Sequence, residues 1–221
     1  MPSAVALLVA AGRGERLGLA APKALVPCAG RPLLAWSVDA LNAAAGVAHV
    51  IAALPPGVEA PPGVIGVAGG AERSHSVRAA LVAAPPSDWV LVHDAARPLV
   101  TAVIVQDCLD ALARHGCDAA IAAAPVADTI KEGAGGVVVR TLDRRNLWAI
   151  QTPQAFRRPA LERALGLGDA ALGAATDDAA LVESLGGEVR LVATTPPNFK
   201  VTTPGDLHLA ELILRDRLRH P

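Results

Sequence analysis

The chain has 221 residues, a formal net charge of −1 and 52% apolar residues, with 2% aromatic residues and no tyrosine. That length suits one well-packed domain and would cramp two. The charge gives no general attraction to nucleic acid, and scarce aromatic rings leave no stacking platform for single-stranded RNA, so no nucleic-acid partner is expected.

In chain order, "VALLVAAG", "VAHVIAAL", "VIGVAG", "DWVLVHDA", "DAAIAAAPV" and "EVRLVATT" read as strands. Most are continuous apolar runs rather than alternating ones, as befits parallel strands covered on both faces. Between them, "RPLLAWSVDALNAAAG", "SHSVRAALVAAP", "TAVIVQDCLDALARHG" and "TDDAALVESLGG" carry apolar residues near a 3.6 period. The last helix opens with Thr203, Pro204 and Asp206, a capping box with proline at the first helical place. This alternation predicts an open, doubly wound, mostly parallel α/β sheet of Rossmann-like type.

One stretch breaks the rhythm. In "DTIKEGAGGVVVRTLDRRNLWAIQTPQAF", Gly133, Gly135 and Gly136 separate two short β-prone pieces. They predict a β-hairpin arm outside the main sheet, at about residues 128–156 of a single domain covering 1–221. No apolar run reaches the length of a membrane span. The N-terminus lacks the basic start of a signal peptide. Cys28, Cys108 and Cys117 share no metal-type spacing and read as buried, reduced thiols, so a cytoplasmic location with no membrane partner is expected. The histidines are scattered, and a zinc site is not expected.

Ligands of open α/β sheets bind at the carboxyl ends of strands, and four polar clusters fall there. The first, "AAGRGERLG" followed by "PKAL", is neither a dinucleotide fingerprint nor a Walker A loop. Leu17 stands where the third glycine belongs, and Lys23 lies between Pro22 and Ala24. Gly12 and Gly14 can turn backbone N–H groups toward one anion, with Arg16 and Lys23 adding positive charge suited to a triphosphate. The alternative is a surface loop with solvated charges.

The second cluster is "GGAERSHSV". Gly69 and Gly70 allow close approach to a flat ligand, and Ser76 offers a hydroxyl to a base edge. Equally, Ser74 or Ser76 could simply cap the next helix. In the third, "VHDAARP", Asp94 ends a strand. It is placed either to hold magnesium beside substrate phosphates or to pair with Arg97. His93, its neighbour, points away from the site and is given no metal role. The fourth, "NFKVTTPGDL", leaves Lys200 between the last strand and last helix, either solvated or facing the ligand.

Together with "DTIK", "LWAIQTPQAF" and "TDDAALVE", these clusters resemble the 2-C-methyl-D-erythritol 4-phosphate cytidylyltransferases of the non-mevalonate isoprenoid pathway, over residues 5 to 212. The resemblance implies a homodimeric nucleotidyltransferase that uses CTP, methylerythritol phosphate and Mg2+. It implies Arg16, Lys23 and Lys200 as catalytic residues, and Ala10, Ala11, Gly12, Gly14, Gly70, Ala71, Ser76 and Asp94 around CTP, with Asp94 also near the metal. Arg97 and Thr176 would contact the polyol phosphate. Thr129, Arg144 and Thr152 would do so from an arm that crosses to the partner subunit. Ala71 departs from the acidic or amide residue expected beside the base, and Arg145 is the fallback for Arg144. The rivals are a cytidylyltransferase for another polyol phosphate such as ribitol 5-phosphate, a sugar-nucleotide pyrophosphorylase using another NTP, and a non-catalytic CTP-binding protein.

Overall fold

The computed structural model describes residues 3–12, 14, 17–18, 22–194 and 197–220. Strand β1 (Ala4–Val9) is followed by a short ladder of β2 (Pro27–Cys28) and β3 (Arg31–Pro32), helix α1 (Leu33–Asn42), β4 (Val47–Leu54) and β5 (Val64–Ala68). Then come α2 (Arg73–Ala83), β6 (Trp89–Asp94), α3 (Ala102–His115) and β7 (Ala119–Pro125). The hairpin strands β8 (Lys131–Ala134) and β9 (Val137–Thr141) lead to β10 (Trp148–Arg157). The chain closes with α4 (Arg158–Leu165), α5 (Asp169–Ala174), α6 (Asp178–Ser184), β11 (Val189–Ala193) and α7 (Pro204–Arg219).

The main sheet has the order β11-β7-β10-β6-β1-β4-β5. Only β10 runs antiparallel to its neighbours, β6 and β7. Along β1 the side chains alternate between two cores. Ala4, Ala6 and Leu8 meet Leu34, Val38 and Leu41 of α1 and Val105, Cys108 and Leu112 of α3. Val5 and Leu7 meet Val77 and Leu81 of α2, with α4, α5 and α6 on the same face. Apolar side chains thus cover both faces of the central strands, which is why their sequences carry almost no polar alternation. A third cluster seats Ala210 and Leu214 of α7 against Val26, Cys28 and Val201. The start of α7 is the expected capping box, with Thr203 accepting from the Asp206 amide and Asp206 from Thr203. All three cysteines are free and buried.

The arm differs from its expected bounds. A protruding two-stranded hairpin does form, but it is confined to β8 and β9, with Val137, Val138 and Val139 exposed. The last part of the expected arm, Trp148 to Phe156, belongs to β10 in the main sheet. Helices α4 and α5, which follow it, were not anticipated from the sequence.

Candidate active site

A cleft of about 1000 Å³ opens over the carboxyl ends of β1, β4, β5 and β6. Its described lining includes Ala10, Ala11, Gly12, Gly14, Lys23, Gly70, Ala71, Ser76, Asp94 and Lys200, so the strand-end clusters converge on one space. Arg16 lies outside the described residues. The backbone is drawn tight at two glycines. A Cβ on Gly69 would stand 2.2 Å from that of Ala11, and one on Gly70 would stand 2.4 Å from that of His75. Gly14 has a φ of +73°, and a Cβ there would meet the Lys23 side chain at 2.8 Å. Only glycine lets these loop segments lie so close together.

Ser76 does not cap α2, whose first position is taken by Glu72. Its hydroxyl instead accepts from the Gly70 amide at 3.0 Å and donates to the Glu72 carbonyl at 3.2 Å, which ties the glycine turn to the helix. Ser74 donates to the Leu172 carbonyl at 2.7 Å.

Asp94 is the electrostatic centre of the cleft. Its Oδ2 takes the Lys200 ammonium at 2.7 Å and its Oδ1 takes Arg73 Nε at 3.0 Å. The expected alternative pairing with Arg97 is not made. Burial pushes the Asp94 carboxyl upward, but the charges of Arg73 and Lys200 override it and hold the group well below the usual carboxylate range. It is therefore ionised at neutral pH.

Behind the cleft, Arg73 Nη1 reaches the buried Asp178 Oδ2 at 2.6 Å. Sequence reading missed this pair, since 105 positions separate its members. Burial pulls the Arg73 guanidinium down, but Asp94 and Asp178 together hold it above its ordinary value. Burial also raises the Asp178 carboxyl, against the pull of Arg73.

The floor beneath Asp94 is a directed hydrogen-bond chain. The Asp94 amide donates to Thr152 Oγ1 at 3.0 Å, and Thr152 Oγ1 lies 3.0 Å from His93 Nδ1. His93 Nε2 lies 3.3 Å from the Arg97 carbonyl, which can only accept. The neutral Nε2–H tautomer satisfies every partner, with Thr152 donating to Nδ1. Burial pushes His93 down to about 4, consistent with a neutral ring.

Thr152 therefore needs a correction. It was expected on an arm that crosses to the partner subunit, but it is 4% exposed in β10 and contacts Asp94 of its own chain. The reason is that β10 turns back into the sheet before residue 152. Arg97 does not line the cleft. It donates to the carbonyls of Asn198 at 2.8 Å and Ile150 at 3.3 Å, and so braces the loop that carries Lys200. Thr129, Arg144 and Thr176 are exposed. Arg144 donates to the Ala127 carbonyl near Thr129, whereas Arg145 pairs with Asp143 of its own turn.

A family model described as 2-C-methyl-D-erythritol 4-phosphate cytidylyltransferase matches residues 4–216. A protein of that name from Deinococcus radiodurans is 49% identical over 214 residues, 96% of this chain and 90% of its own length. The chain belongs to this family. Another member, from Nocardia farcinica, is 48% identical over 224 residues, 97% of this chain and 95% of its own. The crystal structure of the Thermus thermophilus cytidylyltransferase is 37% identical, with a TM-score of 0.82 over 97% of this chain and all of that one.

For a family member the donor set can be weighed against a divalent ion. Asp94 and Glu72 are the carboxylates among the described lining residues. An ion that keeps most of its water needs one protein carboxylate beside substrate phosphates, and ionised Asp94 supplies it. Each of its oxygens has a second lone pair beyond the one met by Lys200 or Arg73, so the residues fit such an ion.

Proposed function

We propose that this chain transfers the cytidylyl group of CTP to 2-C-methyl-D-erythritol 4-phosphate, giving 4-diphosphocytidyl-2-C-methyl-D-erythritol and pyrophosphate. The observation that carries this reading is the convergence of Lys23, Lys200 and Asp94 with two glycine turns on one cleft. That cleft matches the needs of a nucleotidyl transfer between two polyanions.

In this mechanism an oxygen of the 4-phosphate attacks the α-phosphorus of CTP in line, while the bond from the α-phosphorus to the bridging oxygen of pyrophosphate breaks. The nucleophile is already an anion at neutral pH, so the reaction needs no general base. The protein's task is positioning, and neutralising charge as it spreads over phosphorus. Lys23 and Arg16 of the first loop serve the triphosphate, and Lys200 serves the α-phosphate. The Gly70 turn and Ser76 frame the base, with Ala71 at its edge. Asp94 would hold Mg2+, which supplies further positive charge at the phosphates.

The acceptor is bound by Arg97, Thr176 and the arm residues Thr129 and Arg144, with Thr152 fixing Asp94 from below. A cytoplasmic homodimer whose arms cross completes the proposal. The decisive experiment is pyrophosphate release with each of the four NTPs against methylerythritol phosphate and ribitol 5-phosphate. Release only with CTP and methylerythritol phosphate supports the reading. Preference for ribitol phosphate, or for another NTP, replaces it.

A further inference from the structure

Thr202 lines the cleft together with Lys200, and its side chain is tied to the start of α7. A single carboxylate oxygen, Asp206 Oδ2, accepts the Thr202 amide at 2.8 Å, the Thr202 hydroxyl at 2.7 Å and the Thr203 amide at 2.8 Å. The hydrogen bonds from the Thr202 hydroxyl, and then from its amide, hold the Asp206 carboxyl down at about 2. Asp206 is therefore ionised at neutral pH and can only accept. A hydroxyl has one proton to give, and Thr202 has committed its proton to Asp206. What remains on Thr202 Oγ1 is its lone pairs, and among the described residues no donor meets them.

This fixes the chemistry that Thr202 can offer to a ligand. An oxygen with no proton to give accepts from a hydroxyl or an amine and repels a phosphate oxygen. The segment is held against the loop after β6, since the Val201 amide donates to the Ala96 carbonyl at 2.8 Å and Ala95 and Ala96 line the same cleft. On the proposed reading Lys200 serves the α-phosphate, and the group bonded directly to that phosphate is the ribose. The amine of the base is assigned to the Gly70 turn, which comes from the other side of the sheet order, after β5.

We propose that Thr202 is a specificity-determining residue that accepts a hydrogen bond from a ribose hydroxyl of the nucleotide and so favours ribonucleotides over deoxyribonucleotides. The inference rests on the reading of the cleft as a CTP site.

Calorimetric titration with CTP, 2′-deoxy-CTP and 3′-deoxy-CTP, in magnesium and without the acceptor, tests binding apart from turnover. Wild-type protein should bind one of the two analogues about three- to tenfold more weakly than CTP, the scale of one neutral hydrogen bond. Thr202→Val keeps the shape of the side chain and loses the oxygen. It should bind CTP more weakly by the same factor and treat CTP and that analogue alike, as expected of two partners in one contact. Thr202→Ser keeps the oxygen and should restore the discrimination, and Thr202→Ala serves if the valine variant fails to fold. In steady state, Thr202→Val should raise the KM for CTP and leave the KM for methylerythritol phosphate unchanged.

Equal binding of CTP and both analogues by wild-type protein overturns the proposal, as does discrimination that persists in Thr202→Val. A rise in the KM for methylerythritol phosphate alone, or in the magnesium requirement alone, also overturns it, giving the Thr202 oxygen to the acceptor or to the metal. The functional reading fails separately. Ribose-selective binding of CTP without pyrophosphate release removes that reading and leaves Thr202 its role, whereas turnover without ribose selection does the reverse.

Discussion

Lys200 and Asp94 meet at 2.7 Å although 106 positions separate them in sequence. The pair joins the loop before the last helix to the end of a central strand, and it lines the same cleft as Lys23. The two lysines come from segments far apart in sequence yet line one cleft, which carries the prediction that both act on one substrate.

Truncating either lysine should remove a donor aimed at charge that grows in the transition state. We expect Lys23→Ala and Lys200→Ala each to lose about 100- to 1000-fold in kcat, the usual cost of one such donor. Near-normal turnover of purified Lys23→Ala would contradict its assignment.

Chelating divalent ions should abolish turnover while leaving the circular dichroism spectrum intact. Asp94→Asn should raise the magnesium concentration needed for half-maximal activity or eliminate activity altogether. The same variant leaves Arg73 and Lys200 short of a counter-charge, so a lower Tm is expected as well. Full activity of Asp94→Asn at sub-millimolar magnesium would remove Asp94 from the metal site.

Stability should respond to pH through His93. The buried ring titrates near 4, against 6.5 as its ordinary value. Below about 6.5 the unfolded chain takes up a proton that the folded chain refuses. Stability is therefore full above that pH and declines as pH falls toward 4. The loss is on the order of 3 kcal/mol, at about 1.4 kcal/mol for each tenfold difference in proton affinity between the two states. Urea titrations at pH 7, 6, 5 and 4.5 should show this slope, and His93→Gln should flatten it. An equal slope in the variant would assign the effect to another group.

The exposed valines Val137, Val138 and Val139 leave the hairpin with an apolar strand that its own chain does not cover. Isolated hairpins of this size are marginal in water, and a two-fold dimer with crossed arms would cover both. Mixing inactive Lys23→Ala with inactive Arg144→Ala protein should then restore activity, because a heterodimer has one site intact at both positions. Absence of rescue, with subunit exchange verified by mass, would mean that each arm serves its own chain.

Much of the sheet was legible because its central parallel strands β1, β4, β6 and β7 are largely buried, which leaves continuous apolar runs in the sequence. Strand β10 was not legible. Its run "WAIQTPQAFR" is interrupted by Gln151, Pro153 and Gln154, and polar residues normally argue against a buried strand. Their partners come from far along the chain: Gln154 donates to Asp177 at 2.8 Å, and Asn198 donates to the Thr152 carbonyl at 2.8 Å. No local pattern announces such contacts. The same reason hid Arg73, which looked like an ordinary charge at a helix start. Gly69 and Gly70, by contrast, were readable, since a close approach of backbone to its neighbours is written in the residue type itself.

The reversed direction of β10 divides the labour of the molecule. The cleft lies over the carboxyl ends of the parallel strands β1, β4, β5 and β6, so its floor is assembled from loops that follow strands. A strand running the other way brings its beginning to that same edge, and the hairpin is the segment that precedes it. On the proposed reading, the acceptor side of the site is thus spliced in upstream of a strand whose remainder is fixed in the core. Lengthening, trimming or exchanging the hairpin alters what the rim can grasp while the nucleotide floor keeps its shape, so acceptor choice and nucleotide choice can drift as separate characters.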